Sequence, residues 1–266
     1  ATPLAAVLFH ARGGRFYLFG MAALCLPLLA PLTSSCLPQT ARLLTTRHSP
    51  PPTPRMRAHD FASGLPIASL LPDVVTSLRS EPNLVLEAPP GAGKSTAVPL
   101  ALLRDGGFAD GIIMVLEPRR VAARAAAARM ASLLGQPLGG EVGYRVRHES
   151  KTSRETRVLV VTEGVLVNKL QADPTLEGVA CVIFDEFHER SVDADLALAL
   201  CREAQTELRP ELRLVVMSAT LGEALGPAVA ATLGGCPTLT SDGRCFPVER
   251  RHLSGSRPLA LAAAGH

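Results

Sequence analysis

Five short apolar runs in the chain alternate, for the most part, with segments of helical character. The runs span residues 83–87, 111–117, 156–161, 179–184 and 212–217. Each is rich in Val, Ile or Leu without polar alternation, as strands buried on both faces are. This pattern predicts an α/β fold in which helices cover both faces of a mostly parallel sheet. Because ligands of such sheets bind at the carboxyl ends of the strands, the residues directly after each run are candidate functional residues.

Three segments beside these runs predict helices. They are LPDVVTSLRS (71–80), RRVAARAAAARMASLL (119–134) and DADLALALCREAQTEL (193–208). Pro72 falls in the first turn of its segment, where a missing N–H group breaks no helical hydrogen bond.

The first 58 residues differ in composition from the rest of the chain, with six Arg, no Lys and no acidic residue. The apolar stretch MAALCLPLLAPL (21–32) is shorter than the roughly 20 residues of a membrane span, and the Arg-, Ser- and Thr-rich stretch after it is typical of transit peptides. We therefore expect residues 1–60 to be a disordered or targeting-like segment. One interpretation is import into a plastid or mitochondrion. The other is that translation starts at Met56 or elsewhere, which leaves a cytoplasmic protein.

Beyond residue 58 the charge is nearly balanced, because subtracting the six Arg from 27 basic residues leaves 21 against 24 acidic ones. A basic nucleic-acid surface must therefore be local. The six Cys form no CxxC pair and have no ligand spacing with His, so we expect neither a disulfide framework nor a zinc site. With no Trp and two Tyr, the chain lacks the side chains for a base-stacking platform, and a bound strand would be held by its phosphates.

The stretch EAPPGAGKST (87–96) follows the first apolar run. A strand, a Gly-rich turn and a helix start direct several backbone N–H groups at one anion. The expected nucleotide-binding residues are Pro90, Gly91, Ala92, Gly93, Lys94, Ser95 and Thr96. Lys94 would reach the β- and γ-phosphates, and the Ser95 hydroxyl would ligate Mg²⁺.

Ala88 stands where the usual phosphate-loop pattern begins with Gly. We expect this change to be tolerated, because that residue leaves the strand before the phosphate-binding turn begins. The alternative interpretation is an ordinary strand-to-helix turn. A Lys in the first helical turn is electrostatically unfavourable without an anion, which favours phosphate binding.

Two further runs end in polar residues. The fourth is followed by DEFHERS, which places two adjacent carboxylates, Asp185 and Glu186, near His188. One carboxylate can hold Mg²⁺ and the other can accept a proton from the attacking water, although an isolated Asp-Glu pair is usually a solvated strand end. The fifth run ends in MSAT, which alone predicts only a hydroxyl turn at a helix start.

The motifs GAGKST, EPRRVAA, VTEGVL, DEFHERS and MSAT occur in the order of motifs I, Ia, Ib, II and III of superfamily 2 helicases. The set resembles the DEAH-box branch, with Phe187 in place of Ala. This DEFH variant and the stretch GYRVRHES (143–150) resemble the HrpB-type ATP-dependent helicases. The resemblance covers about residues 65–252 and implies the first RecA-like P-loop NTPase domain of a two-domain motor.

The resemblance also implies roles for single residues. Lys94 and Ser95 would bind the triphosphate and Mg²⁺, and Asp185 would hold Mg²⁺. Glu186 would activate water, and His188 would link the site to the neighbouring domain. Positions that couple hydrolysis to movement are matched by Ser218, Ala219 and Thr220. Positions that touch the nucleic-acid backbone are matched by Arg119, Arg120, Arg147, Thr162 and Gly164, and Arg129 matches an arginine that stacks on adenine.

The function implied is that of an ATP-dependent helicase with ATP and Mg²⁺ as cofactors, acting on RNA in preference to DNA. Residues 61–253 would form the ATP-binding domain and residues 254–266 the start of a linker. We expect a second RecA-like domain as the partner, because no QRxGRxGR stretch occurs in the sequence. An ATP-gated clamp that binds nucleic acid without unwinding it is the alternative. An unrelated P-loop phosphotransferase would not need these motifs in this order.

Overall fold

The structure is a computed structural model that describes residues 62–108 and 111–241, except for the side chains of residues 223 and 224. The predictions for residues 1–60 and for the linker at 254–266 lie outside the described residues. The predicted domain limits, 61 and 253, are also outside them and stay predictions.

The described residues form one eight-stranded sheet. The strands are β1 (Asn83–Glu87), β2 (Ile112–Glu117), β3 (Val142–Val146), β4 (Glu149–Lys151), β5 (Val158–Thr162), β6 (Val179–Phe184), β7 (Arg213–Ser218) and β8 (Thr238–Thr240). Their order is β4-β3-β5-β2-β6-β7-β1-β8. Six of the seven neighbouring pairs are parallel, and only β3 and β4 are antiparallel. The predicted α/β class with a mostly parallel sheet is confirmed.

Helices cover both faces of this sheet. They are α1 (Leu71–Ser80), α2 (Lys94–Asp105), α3 (Arg120–Leu133), α4 (Glu163–Ala172), α5 (Val192–Glu207) and α6 (Gly222–Thr232). One cluster of buried side chains includes Leu78 of α1, Leu100 of α2 and Met130 of α3. The other includes Leu170 of α4 and Leu198 of α5. Across the described ranges, none of the helices combines the length and apolarity that crossing a membrane requires.

The parallel arrangement brings the motif-bearing loops to one edge of the sheet. Because β3, β5, β2, β6, β7 and β1 run in the same direction, their carboxyl ends share that edge. The strands β6, β7 and β1 are consecutive, so the loops that follow them are neighbours. These loops contain DEFHERS, MSAT and GAGKST, respectively. The fold therefore assembles three distant segments of sequence at one place.

Candidate active site

The loop between β1 and α2 makes a tight turn at Gly93. Gly93 has φ of 95°, in the left-handed region, and a Cβ there would lie 2.6 Å from Leu65 Cδ1. The left-handed conformation therefore favours glycine at 93, and Leu65 would have to shift to admit a larger residue. Ala88 is fully buried, and its N–H donates to the Ser218 carbonyl at 3.0 Å. It is not among the residues with positive φ, so the local backbone explains why Ala can replace Gly.

Lys94 is the first residue of α2, and its side chain is only 4% exposed. Its Nζ donates to Glu186 Oε1 at 2.8 Å. A buried ammonium group is costly unless it is paired, so this contact satisfies the charge in the absence of another anion. The pair also connects the loop after β1 to the loop after β6.

Asp185 follows β6 directly and is buried. Its Oδ1 accepts the Glu186 backbone N–H at 2.8 Å, whereas its buried Oδ2 has no hydrogen-bond partner in the part of the chain that the structure describes. Burial raises the pKa of Asp185, against the opposing effects of the Ser95 hydroxyl and the Lys94 charge. A buried carboxylate oxygen without a partner, beside a hydroxyl, fits a cation ligand.

A cation at this position would need ligands from outside the protein. In the described ranges, no group of three or more His, Cys, Asp or Glu side chains is arranged to hold a metal ion. Mg²⁺ bound through one carboxylate typically completes its coordination with water and substrate phosphates. Asp185 and Ser95 therefore fit Mg²⁺ that arrives with a nucleotide.

Glu117 is a site residue that the sequence analysis missed. It ends β2, is 3% exposed, and interacts with the carboxyl group of Asp185. Burial first, and then the charge of Asp185, raises the pKa of Glu117 to about 9. Its only signal in the sequence is its place in EPRR, at the end of an apolar run.

The raised pKa of Glu117 predicts a pH effect on folding stability. The folded state holds this proton up to about pH 9, whereas an unfolded Glu loses it near pH 4.3, so stability should fall between these values as pH rises. Replacing Glu117 by Gln removes this titration. In thermal unfolding with EDTA between pH 5.5 and 8.5, Glu117→Gln should gain stability over the wild type as pH increases. Parallel curves for the two proteins would contradict the prediction.

His188 connects the DEFHERS loop to the MSAT loop. Its Nδ1 accepts the Ala219 N–H at 3.4 Å and lies 3.4 Å from Glu186 Oε2. The Ser218 hydroxyl, fully buried at the end of β7, accepts the Thr220 N–H at 3.3 Å. His188 thus makes its described contacts within this domain, and its predicted link to a neighbouring domain stays a prediction.

A cavity of about 470 Å³ lies beside the loop after β1. Its lining includes Ser95, Thr96, Glu117, Arg119, Arg129 and Glu186. The structure therefore brings Arg129 of α3 to the same cavity as Ser95, where the predicted adenine contact would be made. Arg119 also lines this cavity, and its guanidinium lies 2.9 Å from Glu189 Oε1. The predicted contact of Arg119 with nucleic acid stays a prediction.

The other predicted nucleic-acid residues lie along the same edge of the sheet. Arg120 begins α3 after β2, Thr162 ends β5, and Gly164 is exposed in the first turn of α4. Arg147 is exposed in the turn after β3. Because β3, β5 and β2 are consecutive, these positions form a row next to the cavity. Their contacts with nucleic acid stay predictions.

The family model of DEAD/DEAH box helicases matches residues 72–226. The chain belongs to this family. It is 51% identical over 191 residues to the ATP-dependent RNA helicase HrpB of Escherichia coli (strain K12), an alignment that covers 72% of this chain and 23% of that protein. It is 38% identical over 197 residues to human ATP-dependent RNA helicase DHX30, covering 72% of this chain and 16% of the relative.

Solved structures give the same result. A crystal structure of the Escherichia coli DEAH/RHA helicase HrpB matches with a TM-score of 0.68 and 48% sequence identity, covering 75% of this chain and 26% of that one. The predicted resemblance to HrpB-type DEAH-box helicases and the RecA-like fold are confirmed. The chain spans about a quarter or less of the length of these relatives.

Proposed function

We propose that this chain is the ATP-binding and ATP-hydrolysing part of an ATP-dependent RNA helicase that uses Mg²⁺. One observation carries the proposal. Lys94 Nζ donates a hydrogen bond to Glu186 Oε1 at 2.8 Å, and the neighbouring Asp185 has a buried Oδ2 without a partner among the described residues. A phosphate-binding lysine, a proton acceptor and a cation ligand are thus held together by loops from two strands. Phosphoryl transfer requires all three kinds of group.

Lys94 has a defined task in this site. It lies at the start of a helix, where unpaired backbone N–H groups and the helix dipole favour an anion. When a triphosphate enters, its oxygens replace Glu186 as the partner of the ammonium group. This exchange frees the Glu186 carboxylate to accept the proton of the attacking water. Mg²⁺ held by Asp185 and Ser95 would neutralise charge on the phosphates.

The contact of His188 with Ala219 supports a role for MSAT in coupling. A change in the DEFHERS loop on loss of the γ-phosphate would be transmitted to the loop after β7 through this 3.4 Å contact. The row formed by Arg120, Arg147, Thr162 and Gly164 would hold a strand through its phosphates, which gives affinity without sequence specificity. A second RecA-like domain would complete the grip on the strand.

The names of the relatives favour a helicase over a clamp that does not unwind. HrpB and DHX30 are both named ATP-dependent RNA helicases. Their names also favour RNA over DNA as the ligand. The clamp would share the nucleotide site described above, so unwinding by the complete protein is the measurement that separates the two functions.

Lys94→Ala tests the nucleotide site. We expect the Kd for a fluorescent ATP analogue with Mg²⁺ to rise about 10- to 100-fold, because hydrogen bonds between charged groups contribute about 1.5–3 kcal/mol. Lys169→Ala is the control, since Lys169 lies on α4 in a partly exposed ion pair with Asp173. Binding is measured by fluorescence titration after circular dichroism has shown that both variants are folded. Equal affinity of Lys94→Ala and the wild type would refute the proposal.

A further inference from the structure

Backbone hydrogen bonds hold the end of β2 next to the loop after β6, which begins with Asp185. In the parallel pair of β2 and β6, Leu116 pairs with Phe184, and the Asp185 N–H donates to the Leu116 carbonyl at 2.9 Å. Glu117 and Asp185 are therefore adjacent residues on adjacent strands at the carboxyl edge. Both side chains are buried, so the two carboxyl groups lie side by side and largely out of contact with solvent.

A carboxyl group at position 117 is costly to the fold. Two other carboxyl groups, those of Asp185 and Glu186, raise the pKa of Glu117 in addition to its burial, and the Lys94 charge opposes them. Burying a group of this kind beside others of the same charge destabilises a protein. An apolar residue of similar volume would satisfy the packing better, so packing does not explain Glu117.

The geometry of Asp185 shows what Glu117 can contribute. Of the two oxygens of the Asp185 carboxylate, Oδ1 accepts the Glu186 N–H at 2.8 Å, whereas the buried Oδ2 has no hydrogen-bond partner among the described residues. A carboxylate held at one oxygen can rotate about its χ2 torsion, which is broad for Asp. The Glu117 side chain is buried beside Asp185 at the end of the neighbouring strand and lines the cavity together with Ser95, so it is placed to limit that rotation.

We propose that Glu117 is a positioning residue of the magnesium site, which holds the Asp185 carboxylate in the orientation that binds the cation beside Ser95. This inference rests on the proposed function and extends it to a residue of the EPRR segment. Residues that orient a metal ligand typically change metal affinity by about 10- to 100-fold when they are removed. The affinity for nucleotide in the absence of the metal should not depend on Glu117, because Lys94 and the loop between β1 and α2 would bind the phosphates.

The experiment measures the Mg²⁺ requirement of nucleotide binding. The 266-residue chain is titrated with a fluorescent ATP analogue at a series of free Mg²⁺ concentrations and in EDTA. Glu117→Ala should raise the half-saturating Mg²⁺ concentration about 10- to 100-fold, with unchanged affinity in EDTA. Glu117→Gln keeps the length and a hydrogen-bond donor, so it should remain close to the wild type. Glu203→Ala, a change to an exposed carboxylate on α5, is the control.

Glu117→Leu keeps the test valid if the alanine variant does not fold, since an apolar side chain of similar volume is tolerated at a buried charged position. A folded leucine variant with a wild-type Mg²⁺ requirement would overturn the inference, and the same result with alanine would do so as well. Loss of binding in EDTA by the leucine variant would also overturn it. The Lys94→Ala variant distinguishes this outcome from a failure of the proposed function. If Lys94→Ala binds nucleotide as tightly as the wild type, the assignment of the nucleotide site is wrong.

Discussion

The purified 266-residue chain is expected to bind ATP, to hydrolyse it about 10³ to 10⁵ times more slowly than a complete two-domain helicase, and to separate no strands. An arginine finger from a facing domain supplies a rate factor of this size in phosphoryl transfer. The sequence contains no QRxGRxGR stretch that could provide it. Arg119 lines the cavity beside Ser95, but its guanidinium is paired with Glu189 at 2.9 Å. A single domain also cannot alternate between open and closed grips on a strand.

Hydrolysis of radiolabelled ATP, with and without single-stranded RNA, measures this rate. RNA should leave the rate nearly unchanged, because coupling a strand to the nucleotide requires two RecA-like domains and the described residues form a single sheet. Arg119→Ala is the informative variant: the slow rate should persist if Arg119 is not a finger. Robust ATP-dependent unwinding of a duplex by the purified chain would contradict the prediction and would indicate that a second copy supplies the missing groups.

The central strands could be predicted from the sequence because their burial leaves a local pattern. The strands β1 and β6 and the helix α1 have the predicted limits, and the other predicted elements agree to within two residues. An uninterrupted apolar run such as VACVIF (179–184) is stable as a strand that is buried on both faces of a sheet. It can therefore be predicted without knowledge of the residues that pack against it. The position of GAGKST between a strand and a helix was predictable for a similar reason, since the motif consists of consecutive residues.

Three strands at or next to the edges of the sheet, β3, β4 and β8, were not predicted, for a physical reason. The strand β3 contains Gly143 and exposes Arg145, and β4 and β8 have only three residues each. Short or partly exposed strands form because a neighbouring strand offers hydrogen bonds, which a local pattern does not contain. Their absence from the prediction left the position of Arg147 undefined. The structure places it in the turn between β3 and β4.

Glu117 illustrates the limit of sequence reasoning for the site. EPRR was interpreted through its arginines, and nothing in the segment indicates that β2 lies next to β6. That neighbour relation is a property of the topology, and it alone brings Glu117 to Asp185, 68 residues further along the chain. The contact of His188 with Ala219 has the same origin. The sequence motifs indicated most of the candidate side chains, and the order of the strands in the sheet determined which of them are in contact.

Glu186→Gln should separate nucleotide binding from hydrolysis. Loss of the general base is expected to lower turnover about 10²- to 10⁴-fold. The affinity for ATP should stay equal or increase. The reason is the 2.8 Å pair between Lys94 and Glu186, which a nucleotide must break before the ammonium group can bind its phosphates. A neutral amide at 186 competes less well for Lys94, because hydrogen bonds between charged groups are the stronger ones.

Both quantities can be measured in the chain joined to a second RecA-like domain, which makes hydrolysis fast enough to compare variants. Turnover comes from phosphate release and affinity from titration with a fluorescent ATP analogue. Glu203→Gln, on the exposed face of α5, is the matched control and should change neither. Wild-type turnover in Glu186→Gln would show that another group accepts the proton. Weaker binding in this variant would show instead that Glu186 stabilises the loop around Lys94 and does not compete with the nucleotide for it.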